Sequence, residues 1–113
     1  MHEMALTQGI IEICEKYAEG KKVSLVEVEI GELSGVVADA VRFCFEACCL
    51  GTLLENAMLE IVETAGIGCC LDCKTETRMK TIFDPCSACG GYSISITAGE
   101  DMRVLSVEVE DED

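Results

Sequence analysis

The chain has 113 residues and is strongly acidic, with 22 Asp and Glu residues against 8 Lys and Arg residues and a net charge of −14. A surface with this charge repels phosphate backbones and anionic headgroups, which argues against nucleic acids and membranes as partners. No stretch approaches the roughly 20 apolar residues of a membrane span. The nine cysteines come without a secretion signal, which favours a reducing cytoplasm.

Two amphipathic helices are predicted in the first half of the chain. The first runs from about Met4 to Glu19 and ends at Gly20, a residue type that commonly follows a helix. Its predicted apolar face consists of Leu6, Ile10, Ile13 and Tyr17. The second helix ends before Gly51, and its predicted face consists of Val37, Val41, Cys44, Phe45 and Cys48.

Alternating apolar residues predict the strands. Val26, Val28 and Ile30 alternate with glutamates, and further strands are expected at 57–64, 92–97 and 104–110. We expect the last strand to cross back to the first two. The predicted fold is therefore α+β, with two helices packed on a small three-stranded sheet and a four-cysteine zinc-ribbon module inserted before the last strand. In this interpretation residues 1–64 plus 100–113 form one domain and residues 65–99 the other.

Two C-x2-C pairs are the most specific motif. Cys70 and Cys73 form the first pair, and Cys86 and Cys89 form the second after twelve intervening residues. Four thiolates at this spacing can surround one Zn2+, and such a closed site is structural because it leaves no position for a substrate. Iron also suits four thiolates. Ordinary free thiols, a redox dithiol and replacement of Cys70 by Cys69 are the other interpretations.

The remaining cysteines favour core packing. Cys44 and Cys48 lie four residues apart on one helical face and could share a metal, but free cysteine is among the most buried residue types. We expect the same packing role for Cys14 and Cys49.

The N-terminus offers a second set of metal ligands. His2 is the only histidine and follows Met1 directly. The terminal amine, the backbone nitrogens of His2 and Glu3, and the imidazole can chelate one ion, and planar nitrogen-rich sites favour Ni2+ or Cu2+. The alternative is a solvated terminus without metal.

Four segments together resemble the HypA/HybF family. They are Met1-His2-Glu3, the turn Ile30-Gly31-Glu32-Leu33-Ser34-Gly35, the segment Phe43-Cys44-Phe45-Glu46 and the two C-x2-C pairs. The resemblance covers nearly the whole chain and implies a nickel metallochaperone for [NiFe]-hydrogenase maturation, in some organisms also for urease. It implies a non-enzymatic protein whose partners are a nickel-binding maturation GTPase (HypB-like), the hydrogenase large subunit and, for urease, that enzyme's maturation factors.

The resemblance also assigns the sites. It implies that Met1, His2 and Glu3 bind Ni2+ as cargo and that the four cysteines of the C-x2-C pairs bind structural Zn2+. Many family members have an Asp where this chain has Val37, with Asp39 two residues later, so a carboxylate ligand is left open. The alternatives are a zinc-ribbon module that binds protein or nucleic acid without nickel, and a dithiol redox protein. The client and the choice between monomer and homodimer also stay open.

Overall fold

The computed structural model describes residues 3–110, which contain two helices and two three-stranded sheets. The elements are α1 (Glu3–Ala18), β1 (Val23–Gly31), α2 (Ala38–Cys48), β2 (Met58–Thr64), β3 (Gly66–Cys70), β4 (Glu76–Met79), β5 (Ile94–Ala98) and β6 (Met102–Val109). The strand orders are β2-β1-β6 and β4-β3-β5. The last strand therefore returns to the first two, and the predicted α+β fold is confirmed.

Helix α1 buries a face that only partly matches the predicted one, with Ile10 in common. Its buried residues are Thr7, Ile10, Ile11, Cys14 and Ala18. Ile13 and Tyr17 are 48% and 77% exposed, so their assignment to the core was wrong. Ile11, Cys14 and Ala18 recur at steps of three and four residues, so two small side chains continue the buried face and the larger Tyr17 lies outside it. The helix ends where Glu19 and Gly20 take positive φ values of 50° and 87°.

Helix α2 matches its predicted face more closely. Val41 and Phe45 are buried, whereas Val37 precedes the helix and is 58% exposed, so its place on the buried face was wrong. The helix packs against α1. At one point of this packing the Cys48 Sγ lies 3.0 Å from the Met4 Sδ.

The described residues divide into two compact units. The first contains residues 3–28, 37–62 and 103–110. Its core is almost entirely aliphatic, as the five aromatic residues of the chain require. The fully buried side chains include Val23, Val26, Val28, Val41 and Leu54. The domain boundaries expected from the sequence stay a prediction, because compactness does not establish independent folding.

The second unit contains residues 29–36 and 63–102. Strand β3 lies at its centre and pairs antiparallel with β4 and β5. The sequence analysis did not identify β3, since glycine is depleted in strands and two glycines interrupt the apolar pattern. Both glycines allow close packing: a Cβ at Gly68 would overlap the Ile94 side chain, and one at Gly66 would overlap the Met79 backbone.

The turn at residues 30–35 is hydrogen-bonded to the residues just before β3 and just after β5. The N–H groups of Glu32 and Leu33 donate to the carbonyls of Thr64 (2.9 Å) and Gly99 (2.8 Å). The Gly31 N–H donates to the Asp101 carbonyl (2.8 Å). A Cβ on Gly31 would overlap the Gly99 backbone, so this contact needs glycine. Within residues 3–110 no helix is long and apolar enough to cross a membrane.

Candidate metal centre

The sulfur atoms of the two C-x2-C pairs converge on one point. Cys70 Sγ lies 3.6 Å from Cys89 Sγ, and Cys73 Sγ lies 3.6 Å from Cys86 Sγ. All four sulfurs are within 4.8 Å of one another. A tetrahedral site with metal–sulfur bonds of about 2.3 Å needs sulfur–sulfur separations of about 3.8 Å. The four cysteines therefore have the spacing of a closed tetrahedral site.

The two cysteine turns have the same backbone hydrogen bonds. The Cys70 N–H donates to the Thr75 carbonyl (3.0 Å), and the Cys70 carbonyl accepts from the Lys74 N–H (2.9 Å). The same bonds link Cys86 with Gly91 (2.8 Å) and Gly90 (2.9 Å). Lys74 and Gly90 occupy equivalent places with φ values of 65° and 74°. Both turns are therefore folded in one geometry, although only the second has glycine at the left-handed position.

A buried threonine attaches the second turn to the sheet. Thr77 of β4 is 2% exposed, and its hydroxyl accepts the Ser87 N–H at 2.8 Å and bonds to the Ser87 hydroxyl. The first turn is fixed more directly, because Cys70 is the last residue of β3. The sequence analysis did not identify Thr77. Only the alternation of exposed and buried residues along β4 could have indicated it.

The cluster mixes lowered and raised thiol pKa values. Hydrogen bonds from the Thr75 side chain and backbone lower the pKa of Cys73 to about 6. Backbone N–H groups of Cys89 and Ala88 lower the pKa of Cys86. The Gly91 N–H also lowers the pKa of Cys89, but the surrounding cysteine sulfurs raise it further, to about 12. The cysteines therefore cannot all ionise easily unless a cation compensates their charge, so binding a divalent metal would release protons.

The other cysteines lie outside this cluster. Within the described part of the chain, the C-x2-C cysteines are the only group of three or more His, Cys, Asp or Glu residues placed to hold a metal. Cys69 is half-buried, with its Sγ near the carbonyls of Cys70 and Lys74. Cys14 and Cys49 are buried, and burial raises their pKa values to about 11 and about 12.

The predicted nickel ligands are only partly described. Met1 and His2 lie outside the described residues. Glu3 is the first residue of α1, and its carbonyl accepts a hydrogen bond from the buried Thr7 hydroxyl at 2.6 Å. Asp39, the carboxylate left open by the sequence, accepts a hydrogen bond from Arg42 at 3.0 Å and is exposed.

Comparison with known proteins decides the family. A family model described as hydrogenase/urease nickel incorporation, metallochaperone, hypA matches residues 1–109. The chain belongs to the HypA family. It is 56% identical to the hydrogenase maturation factor HypA of Geobacter sulfurreducens, over 97% of this chain and 100% of that protein. It is 47% identical to HypA 2 of Bradyrhizobium diazoefficiens, over 97% of this chain and 100% of that protein.

A solved HypA structure has the same fold. The solution structure of the Ni metallochaperone HypA from Helicobacter pylori aligns with a TM-score of 0.70 and 30% identity, covering 99% of this chain and 100% of that one. The resemblance to the HypA family is thus confirmed over the full length. The protein is a hydrogenase maturation metallochaperone of the HypA family, a non-enzymatic factor with a four-cysteine metal site.

Proposed function

We propose that this protein carries Ni2+ at its N-terminus, bound by the Met1 amine, the His2 imidazole and backbone, and the Glu3 backbone nitrogen. The observation that supports this best is the family match, which extends to residue 1 and therefore includes all three ligands. Glu3, the third proposed ligand, belongs to helix α1, and its carbonyl accepts the Thr7 hydroxyl, so this ligand is attached to regular structure. A site made from a chain terminus and one imidazole can release its cargo, as a metal donor must.

The proposed ligand set does not include Asp39. Its carboxylate is already paired with Arg42, three residues later on the same helix. An exposed pair of this kind is weak, so the Asp39→Asn variant is a direct test of a carboxylate ligand. We expect this variant to bind nickel as the wild type does.

We propose that Cys70, Cys73, Cys86 and Cys89 bind structural Zn2+. The sulfur spacing supports a closed four-sulfur site, and zinc is the usual metal of such sites. Iron has the same ligand preference, and the purified protein distinguishes them because Zn2+ has no visible absorption. Closed coordination of all four cysteines by metal opposes the dithiol redox interpretation.

The proposed clients are enzymes whose nickel centre is assembled in the cytoplasm. We propose that the protein works with a nickel-binding GTPase and passes Ni2+ to the [NiFe]-hydrogenase large subunit. The proposed second client is urease, reached through its own maturation factors. Nine free thiols suit a reducing compartment. The net charge of −14 opposes the nucleic-acid-binding zinc ribbon.

Nickel titration of His2→Gln tests the N-terminal site. The substitution removes the imidazole while a large second residue keeps Met1 in place, so stoichiometric nickel binding should be lost in calorimetry, with zinc content unchanged. An added N-terminal tag should have the same effect, and Asp39→Asn serves as the control. Stoichiometric binding that survives either change would disprove the site.

The nickel affinity should also depend on pH. Protons compete for the imidazole and the amine, whose reference pKa values are about 6.5 and about 7.7–8.0. We therefore expect the affinity to fall as the pH drops from about 8 to about 6. A constant affinity over this range would contradict the proposed ligands.

A further inference from the structure

Three sulfur-containing side chains lie where the start of α1 packs against the end of α2. The Cys48 Sγ is 3.0 Å from the Met4 Sδ, although the two residues are 44 positions apart in the chain. Cys44 lies one turn before Cys48 on the same face of α2, and side chains at this spacing are neighbours. These three residues are named here the α1–α2 sulfur cluster.

The α1–α2 sulfur cluster is accessible from solvent. Met4 is 47% exposed, and Cys44 and Cys48 are half-buried. The other two cysteines of the first unit, Cys14 and Cys49, are 0% and 3% exposed. Core packing was expected from the sequence for all four cysteines, and it is confirmed for Cys14 and Cys49 only. An ion from solvent can therefore reach the thiols of the cluster, whereas the two core thiols are closed to it.

The chemistry of the three sulfur atoms selects the metal. Thiolate and thioether ligands are soft and suit Cu(I), whereas planar nitrogen-rich sites suit Ni2+. The cluster is a poorer site for Zn2+, because structural zinc sites take four thiolate or imidazole ligands and one of these three ligands is a neutral thioether. A reducing environment that keeps the nine cysteines as thiols also keeps copper as Cu(I).

The charges on the two helix ends favour a cation. The last turn of α2 contains no basic residue, and the first turn of α1 begins with the acidic Glu3. Arg42, farther back on α2, is paired with Asp39. In a protein with a net charge of −14, neither of these helical turns repels an incoming cation.

We propose that Met4, Cys44 and Cys48 bind one Cu(I) ion between α1 and α2. Binding forms three copper–sulfur bonds, the two cysteine thiols release their protons to solvent, and the oxidation state of copper does not change. Because the packed helices already hold the Cys48 and Met4 sulfurs in contact, these two ligands need to separate only slightly to admit the ion. The site shares no ligand with the four-cysteine cluster or with the proposed nickel site, and it depends on neither.

Anaerobic titration of the zinc-loaded protein with Cu(I), in competition with the chromophoric chelator bicinchoninate, tests this site. The wild type should withdraw one equivalent of Cu(I) from the chelator without releasing zinc. X-ray absorption at the copper edge should show sulfur as the only type of ligand. Cys48→Ser should weaken the Cu(I) affinity by about 100-fold or more, since even the loss of a residue that only supports a metal ligand costs about 10–100-fold.

Matched substitutions separate the ligands of the cluster from other sulfur atoms. Met4→Leu conserves the side-chain volume and should weaken the affinity by about tenfold, and Cys44→Ser should weaken it by about 100-fold. Met58→Leu is the thioether control, because Met58 is 66% exposed on β2, and Cys69→Ser is the control for a half-buried thiol. Both controls should bind Cu(I) as the wild type does. Circular dichroism should be unchanged in every variant, since none of the altered side chains is buried.

The His2→Gln variant separates this test from that of the nickel site. It removes a proposed nickel ligand and should leave the Cu(I) affinity within about twofold of the wild type, because the imidazole is not a ligand of the sulfur cluster.

Four results would overturn the proposal. A wild type that takes up no Cu(I) would show that the contact between Cys48 and Met4 is packing alone, as would a Cu(I) affinity that Cys48→Ser leaves unchanged. Copper uptake that releases an equal amount of zinc would place the ion in the four-cysteine cluster. A loss of Cu(I) binding in His2→Gln would place it at the N-terminus.

Discussion

The two units of this protein are stabilised in different ways. The first buries a continuous aliphatic core that includes Val26, Val28, Val41 and Leu54. Within the described residues, the buried side chains of the second are Ile30, Cys70, Thr77, Met79 and Cys86. Two of these five are proposed metal ligands, so very little apolar area is left to stabilise the second sheet. A unit of this size usually needs a staple, and the metal proposed at the cysteine cluster would supply it.

Removing a zinc ligand should show the difference in stabilisation between the two units most clearly. Cys73→Ala should lose the metal and the order of β3, β4 and β5, because structural zinc binding supplies about 10–16 kcal/mol in small zinc domains. Hydrogen exchange read by mass spectrometry should show lost protection in residues 66–98 and retained protection in α1. A metal-free variant that keeps the second sheet protected would contradict this difference in stabilisation.

Adding a side chain at the close contact between Gly31 and Gly99 should have the next largest effect. Gly31→Ala places a methyl group against the Gly99 backbone, and we expect it to lower the free energy of unfolding by about 2–4 kcal/mol. Gly9→Ala is the matched control, because its Cβ meets no atom within 4 Å. It should stabilise α1 by up to about 1 kcal/mol. Equal behaviour of the two variants in chemical denaturation would disprove the close contact.

The core thiols should make the first unit sensitive to alkaline pH. The pKa of Cys14 is raised from 9.0 to about 11 by burial, so the folded protein keeps this proton longer than the unfolded chain. Stability is therefore complete below pH 9 and falls as the pH rises from 9 towards 11. We expect a loss of about 1–3 kcal/mol from this thiol.

Denaturation at several pH values measures that loss. Cys14→Ala should show a shallower fall between pH 9 and 11 than the wild type. Val41→Ala, which removes a buried side chain of the same unit that carries no ionisable group, should keep the wild-type slope. Parallel curves for all three proteins would mean that burial of Cys14 has no such cost.

The smallest expected effect concerns the difference between the two cysteine turns. Lys74 has the φ value that its counterpart Gly90 adopts without strain. Lys74→Gly should therefore strengthen zinc retention against a chelator by about 1 kcal/mol, or about fivefold. Gly90→Ala should weaken it by a similar amount, since no steric contact at Gly90 adds to the strain. Changes of the same sign would show that the turns are not equivalent.

The sequence was most informative where a residue type has few possible roles. The double C-x2-C spacing predicted which four cysteines converge, and alternation along 26–30 predicted the central strand. The sequence analysis failed where burial depends on small side chains. Cys14 and Ala18 define the buried face of α1, but Ile13 and Tyr17 have the stronger apolar character and are exposed. Strand β3 was missed because Gly66 and Gly68 serve close packing there.

The sequence predicted the cysteines of the candidate site, but not the hydrogen bonds that hold the cysteine turns in place. Cysteine spacing limits which sulfurs can meet, whereas the hydrogen bond from Ser87 to Thr77 joins segments ten residues apart without a motif. The turn at residues 80–84 has the same character, because the hydrogen bonds from Lys80 and Thr81 to the Asp84 carboxylate follow no motif.

The turn at residues 30–35 has a further consequence for how this chain can vary. Its N–H groups hold the carbonyls of Thr64 and Asp101, so the two ends of the intervening segment meet at one place. A segment of another length could leave and return at the same points without changing the strands on either side. We therefore expect insertions and deletions to be tolerated within residues 65–100 far better than within residues 3–64, provided that the metal ligands remain.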